Sequence, residues 1–142
     1  MYQMGIQQAL NQYRDAGMIA EVREANPHRL IQMLFEAALD RIAIARGAMR
    51  HGDIAVKGAR ISRAIQIIDG LRAYLDREKG GEIADNLDAL YDYMERRLAE
   101  ANLRDDVQIL DEVSHLLREI KSGWDAIPQQ PEASLKASLK AG

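Results

Sequence analysis

Apolar residues recur at steps of three and four in four separate stretches of the chain. Such steps place side chains on one face of an α-helix, which has about 3.6 residues per turn. The stretches cover residues 28–50, 54–77, 82–103 and 107–127. Each is long enough for a helix of roughly 30 Å. The pattern therefore predicts four amphipathic helices.

The repeating apolar positions are the predicted core of these helices. They are Ile31, Leu34, Phe35, Ala38, Ile42, Ala45 and Met49 in the first stretch; Ile54, Ile61, Ala64, Ile65, Ile68, Leu71 and Leu75 in the second; Ile83, Leu87, Leu90, Met94, Leu98 and Ala101 in the third; and Val107, Leu110, Val113, Leu117, Ile120, Trp124 and Ile127 in the fourth.

Capping residues stand where these helices are expected to begin. Asn26 can accept a backbone N–H, and Pro27 suits a first helical position, where no N–H is needed. Asp53 is placed to cap the second helix, and Asp105 or Asp106 to cap the fourth. The expected stops are the His51-Gly52 pair, residues 80–81 (Gly-Gly) and Pro128.

Short loops between consecutive helices favour antiparallel neighbours. The expected fold is all-α, an antiparallel up-down-up-down four-helix bundle with an additional short N-terminal helix. We expect one domain over residues 1–127, with a docking helix at 1–16, a four-helix core at 27–127, and a flexible tail at 128–142. In the N-terminal helix Tyr2, Ile6, Ala9, Leu10 and Tyr13 share one side, and so short a helix must dock or fray.

Composition narrows the function classes. The 142 residues carry a net charge of −3 with acidic and basic residues interspersed, which argues against a nucleic-acid-binding surface. The chain has no cysteine, and so neither disulfides nor thiolate metal sites are possible. Met1–Leu10 contains no basic residue, so we predict no signal peptide, and no stretch is apolar enough to predict membrane insertion.

The sequence contains few of the residue patterns that are typical of catalytic sites. A di-metal helical bundle needs two Glu-x-x-His motifs, and the sequence offers one, at Glu112 and His115, on the flanks of its apolar stripe. An acidic row in the third helix is interpreted as a solvated face; it comprises Asp85, Asp88, Asp92 and Glu95. No phosphate-binding loop or nucleophile motif occurs. We therefore expect a protein that is not an enzyme and needs no cofactor.

The sequence also contains more apolar residues than a narrow helix seam requires. The extra residues are Ala64, Ile67, Leu71 and Tyr74 in the second helix, Met33 in the first and Tyr93 in the third. They either fill a wide core or line a groove for an amphipathic helix of a partner. Both hold if the N-terminal segment covers the groove until the partner arrives.

Three runs together resemble one known family, the flagellar secretion chaperones (the FliS family, flagellin-specific). They are EANPHRLIQMLFEAALDRIAIARGAM, GDIAVKGARISRAIQIIDGLRAYLDREKGGEIADNLDALYDYMERRLAEAN and EVSHLLREIKSGWDAI. The Pro-His before LIQMLFEAAL, together with LDREKGGEIADNL and LYDYMERRLAEAN, makes the resemblance specific. Order and loop lengths agree over about residues 2–127.

The resemblance implies a cytoplasmic chaperone that binds the disordered C-terminal region of flagellin, prevents premature polymerisation and brings flagellin to the flagellar type III export apparatus. Export-apparatus components and other flagellar proteins are further partners it implies. By position, Tyr2, Ile6, Leu10 and Tyr13 would form the N-terminal segment that covers part of the binding surface. The free protein would be a monomer or a weak homodimer.

Two other interpretations stay open on the sequence alone. One is a di-metal or redox four-helix bundle enzyme, which metal analysis of the pure protein would reveal. The other is a structural bundle that only associates with itself through its apolar surplus, which light scattering with and without flagellin would separate from a chaperone.

Overall fold

The computed structural model describes residues 26–128. Within that range the chain forms four α-helices and no β-strand: α1 Pro27–Arg50, α2 Ile54–Ala73, α3 Arg77–Arg104 and α4 Val107–Asp125. The all-helical class is confirmed. The predicted N-terminal helix and the tail from residue 129 lie outside the described residues.

Side-chain caps start the helices where the sequence predicts them. The Asn26 side chain accepts the Arg29 N–H at 2.8 Å, and Pro27 takes the first helical position. The Asp53 carboxylate accepts the Val56 N–H at 3.1 Å. At α4 the cap is Asp106 and not its neighbour Asp105, which has a left-handed backbone and ends α3 instead. Each such cap stabilises a helix by about 1 kcal/mol.

The boundary between α2 and α3 differs from the prediction. The second helix ends at Ala73 and not at residue 77. Asp76 caps a new turn by accepting the Lys79 N–H at 3.1 Å, and α3 starts at Arg77. Gly81, with φ 53° and ψ −128°, breaks the helical geometry between this turn and the rest of α3. Residues 80–81 therefore mark a kink near the start of α3 and not the end of α2.

One apolar core joins the four helices. Helix α1 packs mainly against α2 and α4, and α3 packs against the same two helices. The largest fully buried side chains are Phe35, Met33, Leu34, Ile42, Ile61, Ile67, Ile68, Met94, Leu98, Leu110, Leu117 and Val113. Burial of one such side chain contributes about 1.5–3 kcal/mol.

Three residues of the predicted apolar stripes are exposed, among them Ile127 at 40%. Ile54 is 74% exposed and Ile83 is 71% exposed. Ile54 is the first residue of α2, and Ile83 follows the kink at Gly81. Ile54 and Ile127 thus lie at helix ends, where fewer neighbours cover a side chain, whereas Ile83 lies in the first turn after the kink. Within residues 26–128 none of the helices combines the length and apolarity needed to cross a membrane.

Candidate functional site

The six predicted groove residues do not lie together. Met33, Ala64 and Ile67 are buried in the core. The buried Leu71 and the half-buried Tyr74 line an open apolar cleft.

Tyr93 lies apart from that cleft and donates its hydroxyl to Glu112 at 2.7 Å. This hydrogen bond raises the pKa of Tyr93 and joins α3 to α4. Arg97 also donates to Glu112, at 2.9 Å, and holds the pKa of Glu112 below its ordinary value.

The cleft has a volume of about 350 Å³. Its lining residues come from the N-terminal part of α1, the N-terminal half of α3 and the C-terminal ends of α2 and α4. Its lining is almost entirely apolar: Ile31, Phe35, Leu71, Tyr74, Leu75, Asp76, Gly80, Ile83, Ala84, Leu87, Tyr91, Ile120, Trp124 and Ile127. The chemistry of this lining suits apolar side chains, whose surface would be removed from water in such a cleft.

A paired contact between α1 and α4 holds one wall of the cleft. The His28 and Trp124 rings stack with centroids 5.1 Å apart. The Trp124 indole N–H donates to the His28 carbonyl at 3.0 Å, and His28 Nε2 lies 3.0 Å from the Trp124 carbonyl. Trp124 therefore stands in a fixed orientation at the cleft wall, with its polar N–H satisfied.

Outside the cleft, a cluster of charged side chains joins α2 to α3. Arg72 donates to Asp88 at 2.9 Å and to Glu95 at 3.2 Å, and Arg77 forms a second ion pair with Asp88 at 2.9 Å. Asp92 lies 3.6 Å from the Arg72 guanidinium.

The pKa values of two carboxylates in this cluster, Asp88 and Glu95, are shifted in opposite directions. The hydrogen bond from Arg72 lowers the pKa of Asp88 below its ordinary value. Burial, followed by a hydrogen bond with Asp69, raises the pKa of Glu95 to about 7, although Arg72 opposes the shift. The acidic row of α3 is thus not the uniformly solvated face that the sequence suggested.

The candidate metal ligands of the sequence have other partners. Glu112 accepts bonds from Tyr93 and Arg97. His115 is exposed and lies 3.0 Å from Glu119. Among residues 26–128 no group of three or more His, Asp or Glu side chains is arranged to hold a metal ion.

Sequence reasoning assigned most of the cleft residues to the core and so missed the site as a unit. Ile31, Phe35, Leu87 and Ile120 all fit the helical period. The period identifies a helix face, but it does not tell which turns of that face a neighbouring helix covers. The available signal was positional, because these residues fall near the ends of helices that meet.

Comparison with known proteins places the chain in a family. A family model described as "Flagellar protein FliS" matches residues 9–131. The flagellar secretion chaperone FliSB of Pseudomonas aeruginosa is 55% identical over 127 residues, which cover 89% of this chain and 98% of that protein. The flagellar secretion chaperone FliS of Salmonella typhimurium is 49% identical over 127 residues, covering 89% and 93%. The Bacillus subtilis protein of the same name is 33% identical over 103 residues, covering 72% and 76%. The chain therefore belongs to the FliS family, whose named relatives are flagellar secretion chaperones and not enzymes.

Proposed function

We propose that this protein is a cytoplasmic chaperone that binds the disordered C-terminal region of flagellin, prevents its premature polymerisation and delivers it to the flagellar type III export apparatus. Other flagellar proteins and export-apparatus components are further partners in this proposal. The observation that carries it is the open apolar cleft between the ends of the four helices. Family membership supplies the flagellar context.

The mechanism follows from the chemistry of the cleft. A disordered segment that folds on binding loses conformational entropy and must bury much apolar surface to bind well. The cleft offers exposed apolar groups such as Ile83, beside partly buried ones such as Trp124. Flagellin side chains held there are withheld from contacts with other flagellin molecules.

We also infer that the helices run up-down-up-down. Residues near the start of α1 and α3 share the cleft with residues near the end of α2 and α4. Arg46, near the end of α1, pairs with Asp111, near the start of α4, at 2.7 Å. Lys57 near the start of α2 donates to the Asn102 carbonyl near the end of α3. These contacts support alternating helix directions within residues 26–128, and the single domain over residues 1–127 stays a prediction.

The predicted site residues divide into two groups in this proposal. Leu71 and Tyr74 contact flagellin directly, whereas Met33, Ala64 and Ile67 support the groove from the core. Tyr2, Ile6, Leu10 and Tyr13 form the N-terminal segment that covers the groove in the free protein. That role rests on the family resemblance and on their spacing along one helix side.

A pair of matched variants tests the site. Ile83→Asp places a charge at the mouth of the cleft, whereas Ile54→Asp makes the same change at an isoleucine of similar exposure outside the cleft. We expect Ile83→Asp to weaken binding of a flagellin C-terminal peptide about tenfold, since central contact residues contribute on the order of 1–2 kcal/mol. Ile54→Asp should bind like the parent protein.

The measurement is calorimetric titration with circular dichroism on the same mixtures. Saturable binding, a negative heat-capacity change and gained helix are expected for the parent protein. Equal affinities of the two variants would place the flagellin site elsewhere. Absence of any peptide binding to the parent protein would overturn the flagellin assignment itself.

A further inference from the structure

Negative charge is concentrated on the α2–α3 side of the molecule. Residues 69–95 contain eight acidic and three basic side chains, a net charge of −5, whereas the whole chain has −3. The other parts of the chain therefore carry +2 together. The imbalance is local, and it adjoins the cleft.

Exposed carboxylates border the cleft on this side. Asp76 lines it, and Glu82 and Asp85 flank the lining residues Ile83 and Ala84. We call Asp76, Glu78, Glu82 and Asp85 the acidic rim.

The cations near the rim only partly balance it. Arg77 is engaged with Asp88 at 2.9 Å, which leaves Lys79 as the other cation of the rim segment. The Arg72 cluster behind the rim also has more carboxylates than cations, because Asp69, Asp88, Asp92 and Glu95 all lie near Arg72.

The opposite side of the cleft differs in charge. Within α1, Arg29 forms an ion pair with Glu36 at 3.1 Å. Within α4, Lys121 forms an ion pair with Asp125 at 2.6 Å. These pairs are balanced, so the field at the cleft is asymmetric. A bound segment with positive charge on one side is favoured in one orientation.

Given the proposed function, on which this step rests, we propose that the flagellin segment in the cleft is an amphipathic helix carrying a lysine or arginine within one turn of its apolar anchors. Its cation lies against the acidic rim while the anchors enter the cleft. The rim thereby fixes the orientation of the flagellin segment and adds electrostatic attraction to apolar burial.

The decisive comparison is between Glu82→Lys and Asp40→Lys. Both reverse one exposed carboxylate, and Asp40 lies outside the cleft and pairs with its neighbour Arg41. With a flagellin C-terminal peptide in about 50 mM salt, Glu82→Lys should raise Kd about fivefold, and in about 500 mM salt the effect should fall below about twofold. Asp40→Lys should stay within about twofold of the parent protein under both conditions. Replacing the basic residues of the peptide by glutamine, one at a time, should identify one that removes the Glu82→Lys effect.

The possible outcomes distinguish a failure of the acidic-rim proposal from a failure of the proposed chaperone function. Peptide binding that is equally strong in the parent, Glu82→Lys and Asp40→Lys proteins overturns the rim's role and leaves the chaperone function standing. Absence of binding to the parent protein overturns both. A Glu82→Lys effect on light scattering of the free protein, without one on peptide affinity, would identify a second copy of this chain as the occupant.

Discussion

At the residue scale, Lys57 shows how a buried charge can hold a turn. Its side chain is 7% exposed. The Nζ group donates to the Asn102 carbonyl at 3.0 Å and to the Asp105 carboxylate. Asp105 has φ 53°, in the left-handed region, and ends α3. The lysine therefore ties the start of α2 to the α3–α4 turn, and it satisfies its own charge in doing so.

Replacing Lys57 by methionine should test this tie. Methionine keeps the buried stem but leaves the Asn102 carbonyl without its donor, so we expect a loss of about 1–3 kcal/mol in the free energy of unfolding. Denaturant-induced unfolding followed by circular dichroism gives that value. Arg96→Met is the control, because its exposed pair with Asp92 at 3.0 Å contributes at most about 0.5 kcal/mol. Equal losses of unfolding free energy in the two variants would mean that the Lys57 hydrogen bonds do not stabilise the α3–α4 turn.

At the element scale, the kink at Gly81 shapes the wall of the cleft. Residues 77–80 form one turn under the Asp76 cap, and the rest of α3 leaves in another direction. Gly80, Ile83 and Ala84 line the cleft on the two sides of the kink. The backbone of Gly81, with φ 53° and ψ −128°, is open to glycine and strained for residues with a Cβ atom.

Gly81→Ala should therefore destabilise the protein by about 1–3 kcal/mol. Apart from its two neighbours in the chain, no residue has a heavy atom within 4 Å of the position of a Cβ atom at residue 81, so the cost comes from the backbone and not from a clash. Gly58→Ala is the matched control, since it is equally free of contacts but helical, and it should stabilise α2 by about 0.5–1 kcal/mol. Thermal unfolding of both variants measures the difference. A Gly81→Ala protein as stable as the parent would show that residue 81 does not need a positive φ.

The helices could be predicted from the sequence because their signals are local. Apolar steps define a face, and Asn26, Asp53 and Asp106 satisfy backbone N–H groups within their own first turns. The sequence analysis missed the end of α2 at Ala73, because a pair of glycines at residues 80–81 is compatible both with the end of one helix and with a kink inside the next. The choice depends on whether Asp76 starts a new turn before them.

The cleft was predictable only in part, for a different reason. Leu71 and Tyr74 were recognised as apolar surplus, but Ile67 on the same helix is buried in the core. Which of these residues borders the cleft depends on the helix packed against each turn. That packing is tertiary structure, and the spacing of apolar residues in a single helix does not predict it.

At the scale of the whole molecule, paired carboxylates set the pH dependence of stability. Hydrogen bonds from Arg72, Arg46 and Arg97 hold the pKa values of Asp88, Asp111 and Glu112 below their ordinary values. Such groups stabilise the fold above their unfolded pKa and lose that contribution as the pH falls. Glu95 acts in the opposite direction, because burial raises its pKa to about 7.

The sign for Glu95 follows from proton binding. Between its ordinary pKa of 4.5 and the folded value of about 7, the folded state holds a proton that the unfolded state has released. Its contribution is therefore fully present below the ordinary pKa, declines as the pH rises, and is lost above about pH 7. Glutamine imitates the protonated carboxyl at every pH.

Glu95→Gln should consequently stabilise the protein at about pH 8 by roughly 1–3 kcal/mol, and the gain should shrink towards about pH 5. Glu112→Gln, on the neighbouring face of the α3–α4 contact, should destabilise the protein at high pH, because Arg97 and Tyr93 favour the ionised Glu112. Its loss should also shrink as the pH falls. Urea unfolding of both variants across this range measures the two curves. Because Arg72 donates to Glu95 at 3.2 Å, a Glu95→Gln protein less stable than the parent at high pH would mean that this ion pair outweighs the burial of the carboxylate.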